Sequence, residues 1–379
     1  MQKKSTSWGK VAGWYNRLLE EGDDTYQETL IKPNLMRLLS PKPGEEILDV
    51  GCGQGFFARE IAKRYGTDHY EKIVEPRSID LLKKIVAAYD QPFADSSAIP
   101  TYLVSELARS HVSVVLSGDG GDELFAGYPD YIKLNRIHRY NVTPELFNQL
   151  VWGGIHKAIP QFVKGKGITY LLSKRSVSAK AYLGIWTQPE RRSLYSHDIA
   201  RELRNYATES YMEDLIENSS SDDFVSTLQE VDLKTYLVDD ILTKVDIASM
   251  QHSLEVRVPL LDHKFAELSF TIPSGLKLNQ MGGKYIFKRA MMKHLPNSVL
   301  QHAKQGFAVP FDDWFKGDLR EYVDERLLSS NNQYEDYFRK DYVASIIAMH
   351  RKGMRNFAPK IWSLLVFAEW LDQNRNLRR

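Results

Sequence analysis

Residues 112–128 constrain the fold of this chain more than any other stretch, because a β-branched run breaks into the glycine-rich, acidic sequence SGDGGDE. The run VSVVL at 112–116 is typical of a strand that is buried on both faces of a parallel sheet. The glycines after it let the backbone turn, and the pattern beyond them is helical. A strand that passes through a turn into a helix is the repeating unit of α/β folds, so the sequence predicts an α/β fold.

The same order occurs earlier in the chain. The strand-like EILDV at 46–50 runs through three glycines into the helical pattern GFFAREIAKRYG. YEKIVE at 70–75 follows as a short strand, and SIDLLKKIVAAY and TYLVSELARS predict helices. We expect EILDV, YEKIVE and VSVVL to be parallel strands of one sheet, since each is short, apolar and followed by a helix.

The second half of the sequence has a different pattern of apolar and polar residues. After Tyr128, amphipathic helical patterns dominate almost to the C-terminus. We interpret VRVPLLD at 256–262 and AKQGFAVPFDDWF at 303–315 as loops between helices. The sequence therefore predicts an α/β part followed by a larger, mainly helical part.

Composition narrows the function. A chain of 379 residues with a net charge of +1 can bury a large core, and it has no basic patch that would favour nucleic acid or acidic membranes. No apolar stretch is long enough to cross a bilayer, and the first residues lack the apolar core of a secretory signal. Cys52 is the single cysteine, which excludes disulfides within the chain and thiolate zinc clusters. We expect a cytoplasmic protein that acts on small molecules.

The glycine loop at 51–55 has the features of a nucleotide or nucleoside site. Its three glycines let free amides at the start of a helix face a ligand, and Glu75 stands where a carboxylate would bind ribose hydroxyls. The stretch 46–65 resembles motif I of the class I methyltransferases, which implies S-adenosylmethionine as an alternative ligand. The candidate residues of this loop are Asp49, Gly51, Gly53, Gly55 and Glu75. The methyltransferase pattern does not continue beyond Glu75.

The loop at 117–128 carries more chemistry. Asp119, Asp122 and Glu123 crowd one turn, and three carboxylates repel each other unless a cation lies among them. Mg²⁺ bound together with nucleotide phosphates is one candidate, because it needs only one or two protein carboxylates. Capping of the helix that follows is the alternative, which would account for one or two of the acids.

The same loop resembles the second nucleotide-binding loop of the asparagine synthetases. The resemblance extends in the family's order through segments that include YGTDHYEKIVEP, DDILTKVDIASMQHSLEVRVPLLDHKF, GGKYIFKRAM and AKQGFAVPFDDWF. It implies an enzyme that binds ATP and Mg²⁺, adenylates the side-chain carboxylate of aspartate and lets ammonia displace AMP.

The resemblance also implies roles for particular residues. Ser117 and Gly118 would contact ATP, Asp122 would bind Mg²⁺ and pyrophosphate, Asp119 would lie toward the aspartate, and Lys304 would be the catalytic lysine. Further residues lie in matching segments without an assigned role: Asp240, Lys244, Asp246, Glu255 and Arg257. For Glu255 with Arg257 we prefer the interpretation of a structural ion pair.

Two departures from the family affect the expected activity. Glutamine-using members begin Met-Cys, whereas this sequence begins Met-Gln, so we expect ammonia rather than glutamine to be the nitrogen source. The family's first nucleotide loop, Ser-Gly-Gly-x-Asp-Ser, does not occur in the sequence, and the glycine loop at 51–55 stands in its place. We therefore expect impaired or lost synthetase activity. S-adenosylmethionine binding and a non-catalytic scaffold are the alternatives, and a separate glutaminase or a homo-oligomer stays open.

The expected architecture combines these observations. The resemblance implies a parallel sheet of the adenine-nucleotide α-hydrolase type, with its first strand and helix replaced by the methyltransferase-like segment at 1–66. The synthetase-like domain would cover 67–379, with an α/β part at 67–130 and a mainly helical part at 131–379.

Overall fold

The computed structural model describes residues 74–140, 144–159, 163, 166–173, 184–221, 223–279, 282–292, 307, 309–329 and 333–374. Helices dominate this part of the chain. Before residue 235 the α-helices are, in chain order, α1 (Leu82–Ala88), α2 (Ala98–Arg109), α3 (Gly121–Leu124), α4 (Pro129–Tyr140), α5 (Glu145–Ala158), α6 (Lys166–Leu172), α7 (Gln188–Leu194), α8 (His197–Glu202), α9 (Thr208–Glu217) and α10 (Phe224–Lys234).

The second half continues in the same way. After residue 242 the α-helices are α11 (Thr243–Met250), α12 (His263–Thr271), α13 (Ser274–Lys277), α14 (Tyr285–Met291), α15 (Phe311–Trp314), α16 (Arg320–Leu327), α17 (Lys340–Arg351) and α18 (Ala358–Gln373). A π-helix over Tyr236–Leu242 joins α10 to α11. Short 3-10 helices cover Pro76–Leu81, Pro259–Leu261 and Gln333–Asp336. The helices predicted from SIDLLKKIVAAY and TYLVSELARS are confirmed as the Pro76–Leu81 turn with α1, and as α2.

Two strands form a small parallel sheet in the described part of the chain. β1 (Val114–Leu116) pairs with β2 (Glu255–Arg257), and Val115 lies opposite Val256. The strand predicted from VSVVL is thus confirmed as a parallel strand, and the described chain is a helix-dominated α/β structure. EILDV lies outside the described residues, and of YEKIVE only Val74 and Glu75 are described, neither of them in a strand.

Two expectations about these strands are wrong. VSVVL was expected to be buried on both faces, but Val114 is 39% exposed and Leu116 is 73% exposed. The reason is that β1 is three residues long and, within the described residues, pairs with β2 alone. VRVPLLD was interpreted as a loop, but its first two residues belong to β2, because a strand this short carries no detectable alternation.

The main hydrophobic core is built around α18. Its residues Ile361, Trp362 and Leu365 are at most 1% exposed, and Phe311 stacks on the Trp362 ring at 4.5 Å between centroids. Apolar residues occur on every side of α18, which is typical of a helix that runs through a core. None of the helices in the described ranges combines the length and apolar character that a membrane crossing requires.

A second, smaller core lies beside the loop that follows β1. Tyr131 on α4 is 1% exposed, and its hydroxyl donates to Asp232 Oδ2 on α10 at 2.6 Å. The buried apolar residues of this cluster are Ala126, Tyr131, Leu134, Leu171, Val225, Leu228 and Leu278. Because Ala126 belongs to the loop itself, this core fixes the loop against α4 and α10.

Candidate active site

The loop from β1 to α3 requires glycine at one position. The Ser117 N–H donates to the Arg257 carbonyl at 2.8 Å, so pairing with β2 continues one residue beyond β1. Gly120 then has a φ of 82°, and an added Cβ would stand 2.6 Å from Cγ of Leu261. A side chain at 120 would therefore be strained and would also clash. This turn places Asp119 and the start of α3 directly beyond the end of the strand.

Each acid of the loop has its own partner. The Ser117 hydroxyl donates to Asp119 Oδ2, and the Tyr128 hydroxyl donates to Glu123 Oε1. Asp122 pairs with the Lys284 ammonium at 3.0 Å. Helix α3 has no side-chain capping hydrogen bond, and Asp122 and Glu123 lie in its first turn, where a negative charge is stabilising. The crowding of three carboxylates is relieved by hydrogen bonds and by one cation.

Lys284 is that cation, and the sequence reasoning gave it no role. Its backbone N–H donates to the Phe125 carbonyl at 2.8 Å, and its φ is 59°. The glycine before it lies so close to the loop that an added Cβ would stand 2.9 Å from the Ala126 carbonyl carbon. The available signal was GGK at the start of the helical pattern YIFKRAM, because paired glycines before a lysine permit such a close approach.

Glu123 and Tyr128 form an internal pair. Glu123 is 1% exposed, and burial raises the pKa of its carboxyl above the usual range. Burial, followed by the charge of Glu123, also raises the pKa of the Tyr128 phenol. By contrast, Ser117 and Asp119 are half-buried and Gly118 is exposed. The groups of this loop that a ligand could reach are therefore Ser117, Gly118, Asp119 and the Asp122–Lys284 pair.

A second charged cluster joins α2 to α11. The Lys244 ammonium donates to Asp95 Oδ2 at 2.6 Å and to the Ser97 hydroxyl at 2.8 Å. Asp95 also accepts from the Ser97 backbone N–H at 2.8 Å. These interactions hold the pKa of Asp95 below its usual value against the opposing effect of burial. Sequence reasoning singled out Lys244 and Asp240 without a role and did not single out Asp95.

Tyr236 lies between the two clusters. Its ring contacts the Tyr128 ring edge-on, with 5.6 Å between the centroids. Burial raises the pKa of the Tyr236 phenol, and the charges of Asp240, Asp95 and Glu123 raise it further. Tyr236 begins the π-helix that also carries Asp240. Because π-helical turns occur frequently at functional sites, this segment belongs to the candidate site.

Asp240 gives a testable pH dependence. Burial, followed by the charge of Asp95, raises its pKa to about 7. An unfolded aspartate titrates near about pH 3.9. Between these values the native state holds a proton that the unfolded chain has lost, so stability falls as pH rises. Asparagine does not titrate, so this loss of stability should be absent from Asp240→Asn. We therefore expect its unfolding free energy, measured by urea titration, to exceed that of the original protein by a margin that grows from about pH 4 to about pH 7.

Asp239→Asn is the matched control, because Asp239 is the exposed neighbour of Asp240 in the same turn. Because exposed substitutions have small effects, we expect the unfolding free energy of Asp239→Asn to lie close to that of the original protein. Equal pH profiles for Asp240→Asn and the original protein would refute the assignment.

The other sequence candidates divide into three groups. Glu75 is half-buried and directly precedes the 3-10 helix at Pro76–Leu81, and Asp246 is exposed on α11. Glu255 and Arg257 form an exposed ion pair at 2.7 Å, which confirms the structural interpretation. The remaining candidates lie outside the described residues: Asp49, Gly51, Gly53, Gly55 and Lys304.

The charged groups of this site are compatible with a cation that is bound together with phosphate. Within the described residues, no group of three or more His, Cys, Asp or Glu side chains could hold a metal ion by itself. Asp122 is a single carboxylate, 13% exposed, beside the Lys284 ammonium. Mg²⁺ that arrives with nucleotide phosphates needs only one or two protein carboxylates. One carboxylate beside an ammonium therefore fits a cation that nucleotide phosphates already hold, for which Asp122 would be the protein ligand.

A polar loop at the carboxyl end of a parallel strand defines the chain as an α/β protein, with a candidate ligand site at the end of the strand where such folds bind their ligands. Residues 56–372 match the family described as asparagine synthase, and the chain belongs to this family. The resemblance to asparagine synthetases is thereby confirmed at the family level. Residues 51–55 lie before the matched range and outside the described residues, so the methyltransferase resemblance gains no support.

Individual relatives agree with the family. Asparagine synthetase [glutamine-hydrolyzing] 1 of Bacillus subtilis (strain 168) is 32% identical over 345 residues, which cover 88% of this chain and 52% of that protein. A putative asparagine synthetase [glutamine-hydrolyzing] of Mycobacterium bovis is 30% identical, with 85% and 47% covered. The amidase chry2 of Gibberella zeae is 22% identical, with 85% and 50% covered. The chain spans about half the length of these relatives.

Proposed function

We propose that the chain catalyses ATP-dependent amidation of aspartate through an acyl-adenylate, with ammonia as the nitrogen donor. The observation that carries this proposal is the 117–128 loop, which places the Asp122–Lys284 pair beyond the end of β1 in a member of the asparagine synthase family. Relatives named as asparagine synthetases support the amidation at the family level, and their names specify glutamine hydrolysis, so ammonia as the donor is part of the proposal. We assign the reaction to residues 67–379, with residues 1–66 as a separate segment.

In the first step, an oxygen of the aspartate side-chain carboxylate attacks the α-phosphorus of ATP. The bond from that phosphorus to the β-phosphate oxygen breaks, and pyrophosphate leaves. Ser117 and Gly118 would contact the nucleotide, and Asp119 would lie toward the carboxylate. Asp122 would hold Mg²⁺, which neutralises phosphate charge when bound. Lys284, beside Asp122, offers a second positive charge to the leaving pyrophosphate.

In the second step, ammonia attacks the carbonyl carbon of the acyl-adenylate, loses a proton and displaces AMP. Lys304 would stabilise the negative charge on the carbonyl oxygen, since a flexible ammonium can follow phosphate and oxyanion in turn. Substrate alignment decides the rate of both steps. The Ser-Gly-Gly-x-Asp-Ser loop does not occur in the sequence, so we propose that ATP is held loosely and that the activity is impaired.

Titration calorimetry and a pyrophosphate assay test this proposal together. We expect weak heat from ATP with Mg²⁺, no heat from S-adenosylmethionine, and slow aspartate-dependent pyrophosphate release. Release of about 1–10 per second, which is ordinary for an enzyme, would overturn the proposed impairment. Absence of both ATP binding and pyrophosphate release would reject the enzyme and leave a non-catalytic scaffold.

A further inference from the structure

Lys277 is a fully buried cation outside the groups used above. It is the last residue of α13, and its side chain is 0% exposed. Its ammonium donates to Gln229 Oε1 at 3.2 Å and lies 4.8 Å from the centre of the Phe270 ring. Burial lowers its pKa to about 8. A buried ammonium is costly unless it is paired, and here the charge of Asp223 opposes the effect of burial on the Lys277 pKa while Gln229 supplies an acceptor.

Gln229 connects this lysine to the candidate site. Gln229 lies on α10, is 0% exposed, and donates from Nε2 to the Glu123 backbone carbonyl at 2.6 Å. An amide side chain presents an acceptor oxygen and a donor nitrogen, whereas a lysine ammonium can only donate. Lys277 therefore dictates that the Gln229 oxygen faces the ammonium, and the nitrogen is left to face the loop.

The Glu123 carbonyl is a sensitive point of the loop. It belongs to α3, a four-residue helix that has no side-chain cap and is too short to stabilise itself. Asp122 is the preceding residue, and the direction of its carboxylate depends on how this turn is held. Gln229 thus anchors the backbone of the loop from its buried side.

We propose that Lys277 and Gln229 are positioning residues: the lysine orients the amide of Gln229, and that amide holds the Glu123 carbonyl so that Asp122 points toward the ligand. The consequence for ATP rests on the proposed function, whereas the anchoring of the loop does not. The two parts therefore need separate measurements.

Gln229→Glu separates positioning from stability. A carboxylate at 229 can still accept from Lys277, now as an ion pair, but it offers no N–H to the Glu123 carbonyl. We expect amide hydrogen exchange in a peptide covering 117–128 to quicken by about three- to tenfold more than exchange elsewhere in the chain, and the melting temperature to fall, because the buried Glu123 carbonyl loses its donor. Where the original protein binds ATP with Mg²⁺, the Kd should rise by a similar factor.

Lys277→Met is the second variant. It removes a buried charge at similar volume and leaves Gln229 Oε1 without its donor, so we expect the fold to be retained. The Gln229 amide is then held at its nitrogen end alone, and exchange in 117–128 should quicken by less than in Gln229→Glu. Lys234→Met is the matched control, because Lys234 lies on α10 but is 52% exposed and pairs with Glu230 instead.

The outcomes are distinct. Unchanged exchange in 117–128 for both Gln229→Glu and Lys277→Met would overturn the inference. Faster exchange spread evenly over the whole chain would also overturn it in favour of a purely structural role. If the original protein does not bind ATP, the proposed function fails, but the exchange measurement still decides whether Lys277 and Gln229 anchor the loop.

Discussion

Asp122→Asn is expected to lower aspartate-dependent pyrophosphate release about 100- to 1000-fold, or to background if the starting rate is low. An amide lacks the negative charge that holds the Lys284 ammonium at 3.0 Å and that would bind Mg²⁺ in the proposed reaction. The effect is large because both charges would act on the leaving pyrophosphate. Lys304→Ala should reduce release to the same extent, since the family resemblance implies that Lys304 is the catalytic lysine.

Asp130→Asn provides the control for this charge change. Asp130 lies a few residues further on, exposed in the first turn of α4. It should leave pyrophosphate release within about twofold of the original rate, since exposed substitutions have small effects. Release that survives Asp122→Asn undiminished would remove Asp122 from the phosphate site, whatever the level of activity.

Gly283→Ala is expected to destabilise the protein by about 3 kcal/mol and to abolish ATP binding. An alanine Cβ would stand 2.9 Å from the Ala126 carbonyl carbon and closer still to its oxygen, and no side-chain rotation relieves a clash with backbone. The two segments would have to separate, and the Lys284 N–H would lose the Phe125 carbonyl. Urea denaturation measures the first effect and calorimetry the second.

Gly275→Ala is the matched substitution at a glycine with open space around it. No atom lies within 4 Å of its added Cβ, and it lies within α13. Alanine there should change the unfolding free energy by no more than about 1 kcal/mol, with a gain more plausible than a loss. If Gly275→Ala and Gly283→Ala lowered the unfolding free energy equally, the close backbone approach at Gly283 would not be the cause of the destabilisation.

The loop at 117–128 could be predicted because its signals are local. Strand, glycines and acids follow one another within one stretch, so Ser117, Gly118, Asp119 and Asp122 could be singled out as a group. Family membership could be recognised for a related reason, since the matching segments occur in a fixed order along the chain.

The partners of these acids could not be predicted in the same way. Asp95 and Lys244 are 149 positions apart in sequence, and no local pattern in either segment indicates that the two residues are in contact. Lys284 likewise reaches Asp122 only because paired glycines bring its backbone against the loop. Burial of VSVVL was predicted wrongly because composition reports how apolar a strand is, whereas exposure depends on which elements cover it.

The π-helix at Tyr236–Leu242 lies between two fixed points. On one side Asp232 is held by Tyr131 beside the loop, and on the other Lys244 is held by Asp95, three residues before α2. A π turn contains more residues than an α turn. The segment can therefore hold an extra residue without shifting the helices on either side of it. The spacing between the two clusters is therefore set by tertiary contacts at both ends. Removal of one residue from the π-helix would shorten the connection between them and would also shift Tyr236 or Asp240, which this segment carries.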